Sequence, residues 1–385
     1  MAYRSGHSLT LLRDGTAFFP ALLAAIAAAE HSVWLESYLY EADDTGLQVA
    51  NALMDAARRG VQVNLLLDGF GAYALPDSLR QALAAAGVRL LFFRPEINRW
   101  GLHLQRLRRL HRKLALVDGH TGFIGGINIL NDCDTPEEPP RYDYAVQVRG
   151  PVCLDISRVM RQLWQRECWL QFRMNWLQQL PRHSRSEQPG QQLAALVVRD
   201  NVRHRRAIEV AYLHALRQAR QDIILANAYF LPGFQFRRAL LAAARRGVKV
   251  TLLLQGRLDQ ALLQFACRGL YRQLLAAGIE VVEYRRGYMH AKVAVVDGRW
   301  ATVGSSNIDP FSIFLAREAN LLVQDHAFAR GLRDDLRRMI AEHGVRIDQH
   351  TLTQSRWWYR IVPWLAYQCI RMLMGLAGIG GRQQE

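Results

Sequence analysis

Apolar residues in the first quarter of the chain alternate between a spacing typical of strands and one typical of helices. Residues 32–40 and 61–69 are dense in aromatic, aliphatic and β-branched side chains, which predicts two buried strands. Residues 47–60 carry apolar side chains at helical spacing and end at Gly60, and residues 79–87 show a similar helical pattern. Strands that alternate with helices predict an α/β domain with a largely buried sheet.

The same order of elements occurs twice along the chain. Residues 56–69 read AARRGVQVNLLLDG, and residues 243–256 read AARRGVKVTLLLQG. Residues 109–130 and 288–309 share a His, a Lys, an Asp and an Asn in the same order, at one constant separation. Because the order is kept while loop lengths differ, we interpret the chain as a duplicated domain rather than a solenoid.

The length and the loop composition predict where the two copies are joined. With 385 residues, the chain is long enough for two domains that each have a core. A polar stretch with prolines and a glycine predicts a linker over residues 181–192. The first domain is then expected over residues 1–180 and the second over residues 193–350, followed by a tail over residues 351–385.

Charge and cysteine usage narrow the class of protein. The net charge of +15 and the pI of about 10.1 favour a polyanionic partner, either nucleic acid or an anionic membrane surface, and charge alone does not choose between them. The five cysteines form no C-x-x-C pair. This argues against a disulfide framework or a zinc site and fits a reducing cytosolic setting.

The first repeated motif is predicted to lie on a strand and a turn. Side chains alternate along a strand, so His111 and Lys113 share one face and Arg112 points away. Asp118 and the glycine after it predict a turn, from which a second strand returns to Asn128.

The second motif repeats this geometry with His290, Lys292, Asp297 and Asn307. If the copies pack about a pseudo-two-fold axis, the two faces can meet in one composite site. Lysines and amides suit a bound phosphoryl group, and two histidines suit covalent catalysis in which one attacks phosphorus and the other handles the leaving-group proton. The lysines supply positive charge, so we expect neither a metal ion nor another cofactor.

A nucleophilic histidine needs an acceptor that holds it in one tautomer, and two acidic residues are candidates. Asp143 and Glu318 follow the two motifs in matching places. Asp118 and Asp297 complete the motifs and are kept among the candidate catalytic residues, although aspartates at turns commonly have a structural role. The copies also differ, because Ser305 in the second copy stands where the first has a glycine.

The C-terminal tail points to a membrane surface. Residues 356–381 are dense in tryptophan, tyrosine and aliphatic residues, but Pro363 and Arg371 argue against a helix that crosses the bilayer. On a helix, Arg360, Gln368 and Arg371 fall within an arc of about 80°. This stripe predicts an amphipathic segment at the membrane interface, and a helix packed on the domain surface remains the alternative.

The paired H-x-K-x-x-x-x-D motifs, followed by G-G-x-N or G-S-x-N, resemble the phospholipase D superfamily over about residues 6–350. Within it the chain resembles bacterial cardiolipin synthases, most of all the B type, on the stretches ANAYFLPG and WATVGSSNIDP. The resemblance implies two similar α/β/α sandwich domains related by pseudo-two-fold symmetry, with the site at their interface. It also implies transfer of a phosphatidyl group from phosphatidylglycerol to the head-group hydroxyl of a second phosphatidylglycerol, with release of glycerol.

The resemblance further implies a role for each candidate residue. His111 would attack phosphorus to form a phosphohistidine, and His290 would protonate the leaving glycerol and then deprotonate the incoming hydroxyl. The phosphoryl oxygens would be held by Lys113, Lys292, Asn128 and Asn307.

The implied setting is the cytoplasmic side of the bacterial inner membrane, where a peripheral enzyme meets phosphatidylglycerol on an anionic surface. No nucleic-acid partner is expected, and the site does not require an oligomer. A phospholipase D-type phosphodiesterase or a nuclease of the same superfamily is the alternative. A membrane-binding protein without activity would not need both motifs intact.

Overall fold

The computed structural model describes most of the chain outside several loops and the tail. The described residues are 2–95, 109–132, 139–177, 188–200, 204–257, 261–309 and 316–348, together with Leu365 and Met372. Most of the predicted linker and nearly all of the predicted membrane-interface tail lie outside the described residues.

The described residues form strands and helices in frequent alternation. The strands are β1 (Arg4–Arg13), β2 (Ser32–Ser37), β3 (Gln62–Asp68), β4 (Arg89–Phe93), β5 (Arg109–Leu110), β6 (Lys113–Val117), β7 (Thr121–Gly125), β8 (Tyr144–Arg149), β9 (Gln192–Arg199), β10 (Asp222–Asn227), β11 (Lys249–Gln255), β12 (Glu280–Tyr284), β13 (Lys292–Val296), β14 (Trp300–Gly304), β15 (Ala316–Gln324) and β16 (Gly344–Ile347). The α-helices are α1 (Asp14–Ala27), α2 (Asp44–Arg58), α3 (Asp77–Ala85), α4 (Val152–Leu170), α5 (Ala207–Gln218), α6 (Phe234–Arg245), α7 (Ala261–Ala276) and α8 (His326–His343).

The chain divides into two compact units that do not coincide with the two sequence repeats. Unit 1 consists of Met1–Val198, Val303–Ser305 and Arg317–Val323. Unit 2 consists of Arg199–Thr302, Ser306–Ala316 and Gln324–Glu385. Unit 1 therefore contains two short segments that belong, by sequence, to the second repeat.

Unit 1 is a three-layered α/β/α unit. Its sheet runs in the order β4–β3–β2–β6–β7–β8–β1–β9, and β2, β3 and β4 are parallel. Helices α1, α2 and α3 cover one face, where Val33 and Leu35 belong to the main hydrophobic core. Trp34 lies between these two residues in the strand and therefore points to the opposite face. It packs edge-on against Trp164 of α4, with ring centroids 5.6 Å apart.

Unit 2 repeats the central part of this topology. Its strands follow the order β16–β12–β11–β10–β13–β14, with β10, β11 and β12 parallel and β13 antiparallel to β10. Helices α5 and α6 pack against each other, and α8 packs on the strands β10, β12, β13 and β16. The predicted α/β class is thus confirmed, and the elements expected at residues 32–40, 47–60, 61–69 and 79–87 correspond to β2, α2, β3 and α3.

Each repeated motif contains a β-hairpin that is tied back to the sheet by its aspartate. Asp118 and Gly119 have φ values of 49° and 72°, and Asp297 and Gly298 have values of 53° and 56°. Left-handed residue pairs of this kind form the tight turns that suit the twist of two antiparallel strands. The predicted turn and returning strand are therefore present in both copies, as β6–β7 and β13–β14.

No helix in the described part of the chain combines the length and the apolar character that a membrane crossing requires.

The Asp118 carboxylate is expected to contribute to the stability of unit 1. It accepts hydrogen bonds from the backbone N–H groups of Glu30, His31 and Ser32 at 2.7–2.9 Å. Partial burial alone would raise the pKa of Asp118, but these hydrogen bonds lower it below the usual value of 3.8. Replacing Asp118 by Ala should lower the free energy of unfolding at pH 7 by about 2 kcal/mol, measured by urea denaturation.

Because the folded-state pKa of Asp118 is depressed, its contribution is complete above the unfolded pKa and is lost as the pH falls through the folded value. The difference between wild type and Asp118→Ala should therefore shrink below about pH 4. Asp55→Ala is the control, since this exposed carboxylate pairs with Arg58 at the surface and its removal should cost less than about 0.5 kcal/mol. Equal effects of the two substitutions would contradict the structural role of Asp118.

Candidate active site

His111 lies between β5 and β6, on a short segment held by backbone hydrogen bonds. Its N–H donates to the carbonyl of Arg317 at 3.0 Å, and β5 pairs with β15. The neighbouring Leu110 N–H donates to the Asp68 carboxylate at 2.7 Å. The imidazole is 16 % exposed, so it is confined by protein on most sides but still reachable from solvent.

The side chain that orients His111 is Glu318. Its two carboxylate oxygens lie 3.0 and 3.1 Å from Nδ1 of His111, and the Glu318 side chain is fully buried. An ionised carboxylate only accepts hydrogen bonds, so Nδ1 carries the proton and Nε2 presents a lone pair. Glu318 belongs to the second sequence repeat but lies in the part of β15 that folds into unit 1.

Ser305 supports this carboxylate from the other side. Its hydroxyl donates to Oε2 of Glu318 and accepts from the backbone N–H of Ala319 at 3.1 Å. Both Ser305 and Glu318 are buried without exposed surface. A charge buried this deeply is stable only with such donors, so the serine helps to keep Glu318 in place for His111.

Lys113 and Tyr38 complete the surroundings of His111. Lys113 Nζ donates to the carbonyl of His111 at 2.9 Å, and it lies 5.3 Å from the ring centroid of Tyr38. The Tyr38 ring is 4.8 Å from the imidazole, centroid to centroid. Lys113 therefore lies on the His111 side of the strand, as the alternation predicts. Burial, with a smaller effect of nearby carboxylates, raises the pKa of Tyr38 to about 12, which keeps its hydroxyl protonated at neutral pH.

Arg112 points to the opposite side, as predicted, and forms a buried ion pair. Its guanidinium lies 2.8 Å from the carboxylate of Glu36 on β2. Burial raises the pKa of Glu36, and the charge of Arg112 acts against this shift. The pair ties the motif strand to its neighbour in the sheet.

Asp68 is a positioning residue that the sequence reasoning missed. It ends β3, is fully buried, and accepts from the N–H groups of Phe70 and Gly71 as well as from Leu110. Burial raises the pKa of Asp68, while these hydrogen bonds oppose the change. The aspartate in the stretch LLLDG was the available signal, because it ends a buried strand and the second copy has Gln255 in its place.

Asn128 and Asp143 are both buried in unit 1. Asn128 Oδ1 accepts from the N–H of Leu39 at 3.2 Å, which directs its amide group. Asp143 lies beside Gly126, where a Cβ atom would come within 2.4 Å of both carboxylate oxygens. Gly126 is thus required because a side chain there would collide with Asp143. The second copy has Ser305 at the equivalent position, and its hydroxyl donates to Glu318.

In unit 2, His290 is held by a different partner. Lys292 Nζ lies 2.8 Å from Nδ1 of His290 and also donates to the His290 carbonyl. Lys292 is fully buried. An ammonium group has donors only, so Nδ1 of His290 accepts and the ring proton of the neutral imidazole is on Nε2.

Asn307, the fourth residue of the second motif, is buried in unit 2. Its Oδ1 has no hydrogen-bond partner among the described residues, unlike the oxygen of Asn128. The next residue, Ile308, donates its N–H to Asn227 Oδ1 at 3.1 Å. Asn227 therefore fixes the backbone that carries Asn307 without fixing the amide itself.

The two histidines consequently present opposite groups at Nε2. His111 offers a lone pair, which is suited to nucleophilic attack, and His290 offers an N–H group that can give up its proton as Nδ1 takes one from Lys292. The difference follows from the partner of each Nδ1 atom within its own unit. This partner is Glu318 for His111 and Lys292 for His290.

Asp118 and Asp297 have structural contacts rather than contacts with the histidines of their motifs. The Asp297 carboxylate accepts from the backbone N–H groups of Arg220, Gln221 and Asp222, in the way that Asp118 binds the start of β2. These contacts hold each motif hairpin against the parallel strands, and the catalytic role of Asp118 and Asp297 stays a prediction.

The described residues contain no cluster of His, Cys, Asp and Glu side chains that could hold a metal ion. The positively charged groups beside the histidines are Lys113 and Lys292. They can supply the electrostatic stabilisation that a phosphoryl group requires.

Comparison with known proteins places these motifs in a family. The model of the family described as "Cardiolipin synthase, PLD-like domain" matches residues 22–132 and 212–340, which contain both motifs. Cardiolipin synthase B of Escherichia coli K12 is 39 % identical and covers 98 % of this chain and 91 % of its own. Cardiolipin synthase of Geobacillus kaustophilus is 30 % identical and covers 94 % of this chain and 73 % of its own.

A solved structure supports the same fold. The phosphatidylserine synthase of Haemophilus influenzae matches with a TM-score of 0.70 over 96 % of this chain and 95 % of that chain, at 14 % identity. At this identity the likeness concerns the fold alone, and the family follows from the sequence matches. The chain belongs to the family of cardiolipin synthases with PLD-like domains.

Proposed function

We propose that this protein is a cardiolipin synthase that transfers a phosphatidyl group from one phosphatidylglycerol to the head-group hydroxyl of another and releases glycerol. The observation that carries the proposal is that the two motif histidines have different partners at Nδ1, the Glu318 carboxylate for His111 and the Lys292 Nζ for His290, since transfer through a covalent intermediate needs one nucleophile and one acid. The near full-length similarity to cardiolipin synthases supports the lipid substrate.

In the first step, His111 Nε2 attacks phosphorus and the bond from phosphorus to the glycerol oxygen breaks. The His111 ring becomes a cation that still donates Nδ1–H to the Glu318 carboxylate, so the buried negative charge stabilises the phosphohistidine. His290 gives its Nε2 proton to the departing glycerol oxygen. At the same time the proton shared between Lys292 Nζ and His290 Nδ1 moves to Nδ1, so the ring stays neutral and Lys292 becomes a neutral amine.

In the second step these transfers run in reverse. The head-group hydroxyl of a second phosphatidylglycerol gives its proton to Nε2 of His290, and its oxygen attacks phosphorus. The bond between phosphorus and His111 breaks, and the Nδ1 proton of His290 returns to Lys292. Both histidines regain their starting state, and cardiolipin is the product.

The motif lysines and asparagines are proposed to donate hydrogen bonds to the phosphoryl oxygens during both steps, and Lys113 keeps its positive charge throughout while Lys292 regains its charge at the end of the second step. Lys113 keeps its ammonium near the His111 ring through the bond to the His111 carbonyl. Asn128 has its oxygen bound to the backbone, so its amide N–H groups are available as donors. These groups stabilise negative charge that develops in the transition state.

The proposed setting is the cytoplasmic face of a bacterial inner membrane, with the protein bound peripherally to anionic lipid. The net charge of +15 supports attraction to such a surface. One chain carries both motifs, so the proposed reaction does not require an oligomer.

The proposed function is tested by incubating the purified chain with vesicles of radiolabelled phosphatidylglycerol in a buffer with EDTA and separating the lipid products. We expect labelled cardiolipin and free glycerol in equal amounts, because the lysines supply the positive charge without a metal. Phosphatidic acid as the main product would identify a hydrolytic phosphodiesterase instead. Cleavage of single-stranded DNA without lipid products would identify a nuclease.

The histidine roles predict where a covalent intermediate accumulates. With the p-nitrophenyl ester of phosphatidic acid, whose leaving group needs no acid, His290→Ala should still form the adduct but should turn over about 10²–10⁴-fold more slowly. A burst of one nitrophenol per chain should be seen by stopped flow, and peptide mass spectrometry should find the phosphatidyl group on His111. His111→Ala, the control, should give no burst. An adduct on His290 in the wild type would reverse the assignment.

A further inference from the structure

The C-terminal end of α4 carries a group of exposed apolar side chains that the active site does not use. We call residues 169–174 the α4 knuckle. Its apolar members are Trp169, Leu170, Phe172 and Met174. Phe172 is 91 % exposed and Trp169 is 65 % exposed, although large aromatic residues are normally buried for most of their surface.

The backbone of the knuckle is strained to present Phe172. Phe172 has a φ of 55°, in the left-handed region, and the N–H of Arg173 donates to the carbonyl of Cys168 at 2.8 Å. This bond ends a helix in a motif whose left-handed position is usually a glycine. A bulky residue there is a conformational outlier, and packing of its ring against the described residues does not offset the strain.

The knuckle is nevertheless firmly supported. Gln171 donates to the carbonyl of Phe92 at the end of β4, at 2.8 Å. The Arg173 guanidinium lies 5.4 Å from the ring centroid of Trp176, which stacks on the buried Trp164 of α4. The apolar side chains therefore project from a fixed base, and their exposure is not a consequence of a loose chain end.

The charge around the knuckle is positive. Arg166 and Arg173 are exposed, and Arg161 is partly exposed on the same helix. The one acidic residue among residues 161–177 is Glu167, and it is buried. Apolar and aromatic side chains with arginines beside them are the combination that enters the interface of an anionic bilayer.

We propose that the α4 knuckle is a membrane-docking surface that inserts Trp169, Leu170, Phe172 and Met174 into an anionic lipid surface. The inference rests on the proposed lipid substrate for its partner and is independent of the C-terminal tail. The arginines attract the protein to anionic head groups. Insertion of the apolar side chains then adds a contribution that salt does not screen.

Phe172→Gly separates docking from folding, because glycine relieves the backbone strain. The variant should melt at the same temperature as the wild type or higher, by differential scanning fluorimetry. Its Kd for vesicles of phosphatidylglycerol and phosphatidylcholine, measured by co-sedimentation of the full chain, should rise about tenfold. The difference should persist in high salt, since it reflects apolar insertion.

A pair of matched leucine variants controls for the loss of any exposed apolar side chain. Leu170 is 46 % exposed in the knuckle, and Leu47 is 40 % exposed on α2 of the same unit. Leu170→Ser should weaken vesicle binding severalfold, and Leu47→Ser should leave it unchanged. Equal effects of the two leucine variants, or unchanged binding by Phe172→Gly, would overturn the proposal.

The sedimentation coefficient and the activity in detergent distinguish membrane docking from self-association and from loss of catalysis. If the knuckle instead joins two copies of the chain, Phe172→Gly will change the sedimentation coefficient without lipid, and that result overturns the lipid assignment. Activity on phosphatidylglycerol dispersed in detergent should be the same in wild type and Phe172→Gly. A wild type that binds vesicles through the knuckle but makes no cardiolipin would refute the proposed function and leave the docking surface standing.

Discussion

The hydrogen bond between Nδ1 of His111 and the buried carboxylate of Glu318 is the contact on which the rest of the site depends. In the proposed mechanism it fixes the tautomer that leaves Nε2 free to attack, and it places a negative charge where the ring becomes positive. Such a buried charge needs donors on all sides, and Ser305 and His111 supply two of them. Both Glu318 and Ser305 come from the second sequence repeat and lie in segments 303–305 and 317–323, which belong to unit 1.

The duplicated motifs are therefore alike in sequence but different in chemistry. In the first motif, Lys113 donates to the backbone carbonyl of His111, and the His111 ring contacts Glu318. In the second, Lys292 reaches the ring nitrogen itself, so the proton moves to the other side of the imidazole. In the proposed mechanism, the same residues with different hydrogen bonds allow one repeat to provide a nucleophile and the other an acid. The Asp118 and Asp297 carboxylates make the same kind of contact in both copies, since each accepts backbone N–H groups at the start of a parallel strand.

The sequence predicted those features that depend on local patterns. Periodicity located β2, α2, β3 and α3, and the Asp-Gly pairs located the hairpins, since both signals are contained within a few residues. The partner of His111 could be narrowed to Asp143 or Glu318 but not assigned, because the contact joins residues 207 positions apart. Asp68 and Tyr38 were missed for the same reason, and the exposed Phe172 has a strained backbone that no apolar pattern reveals.

The two histidines are expected to hold their protons on opposite nitrogens, and the position of each proton can be measured directly. In protein labelled with ¹⁵N-histidine, the Nδ1 and Nε2 chemical shifts report which nitrogen is protonated, and the signals are assigned by their loss in His111→Asn and His290→Asn. At neutral pH we expect His111 to carry its proton on Nδ1 and His290 on Nε2, and Glu318→Gln should disturb only the His111 signals. A His111 ring protonated on Nε2 in the wild type, or the same tautomer at both positions, would contradict the account.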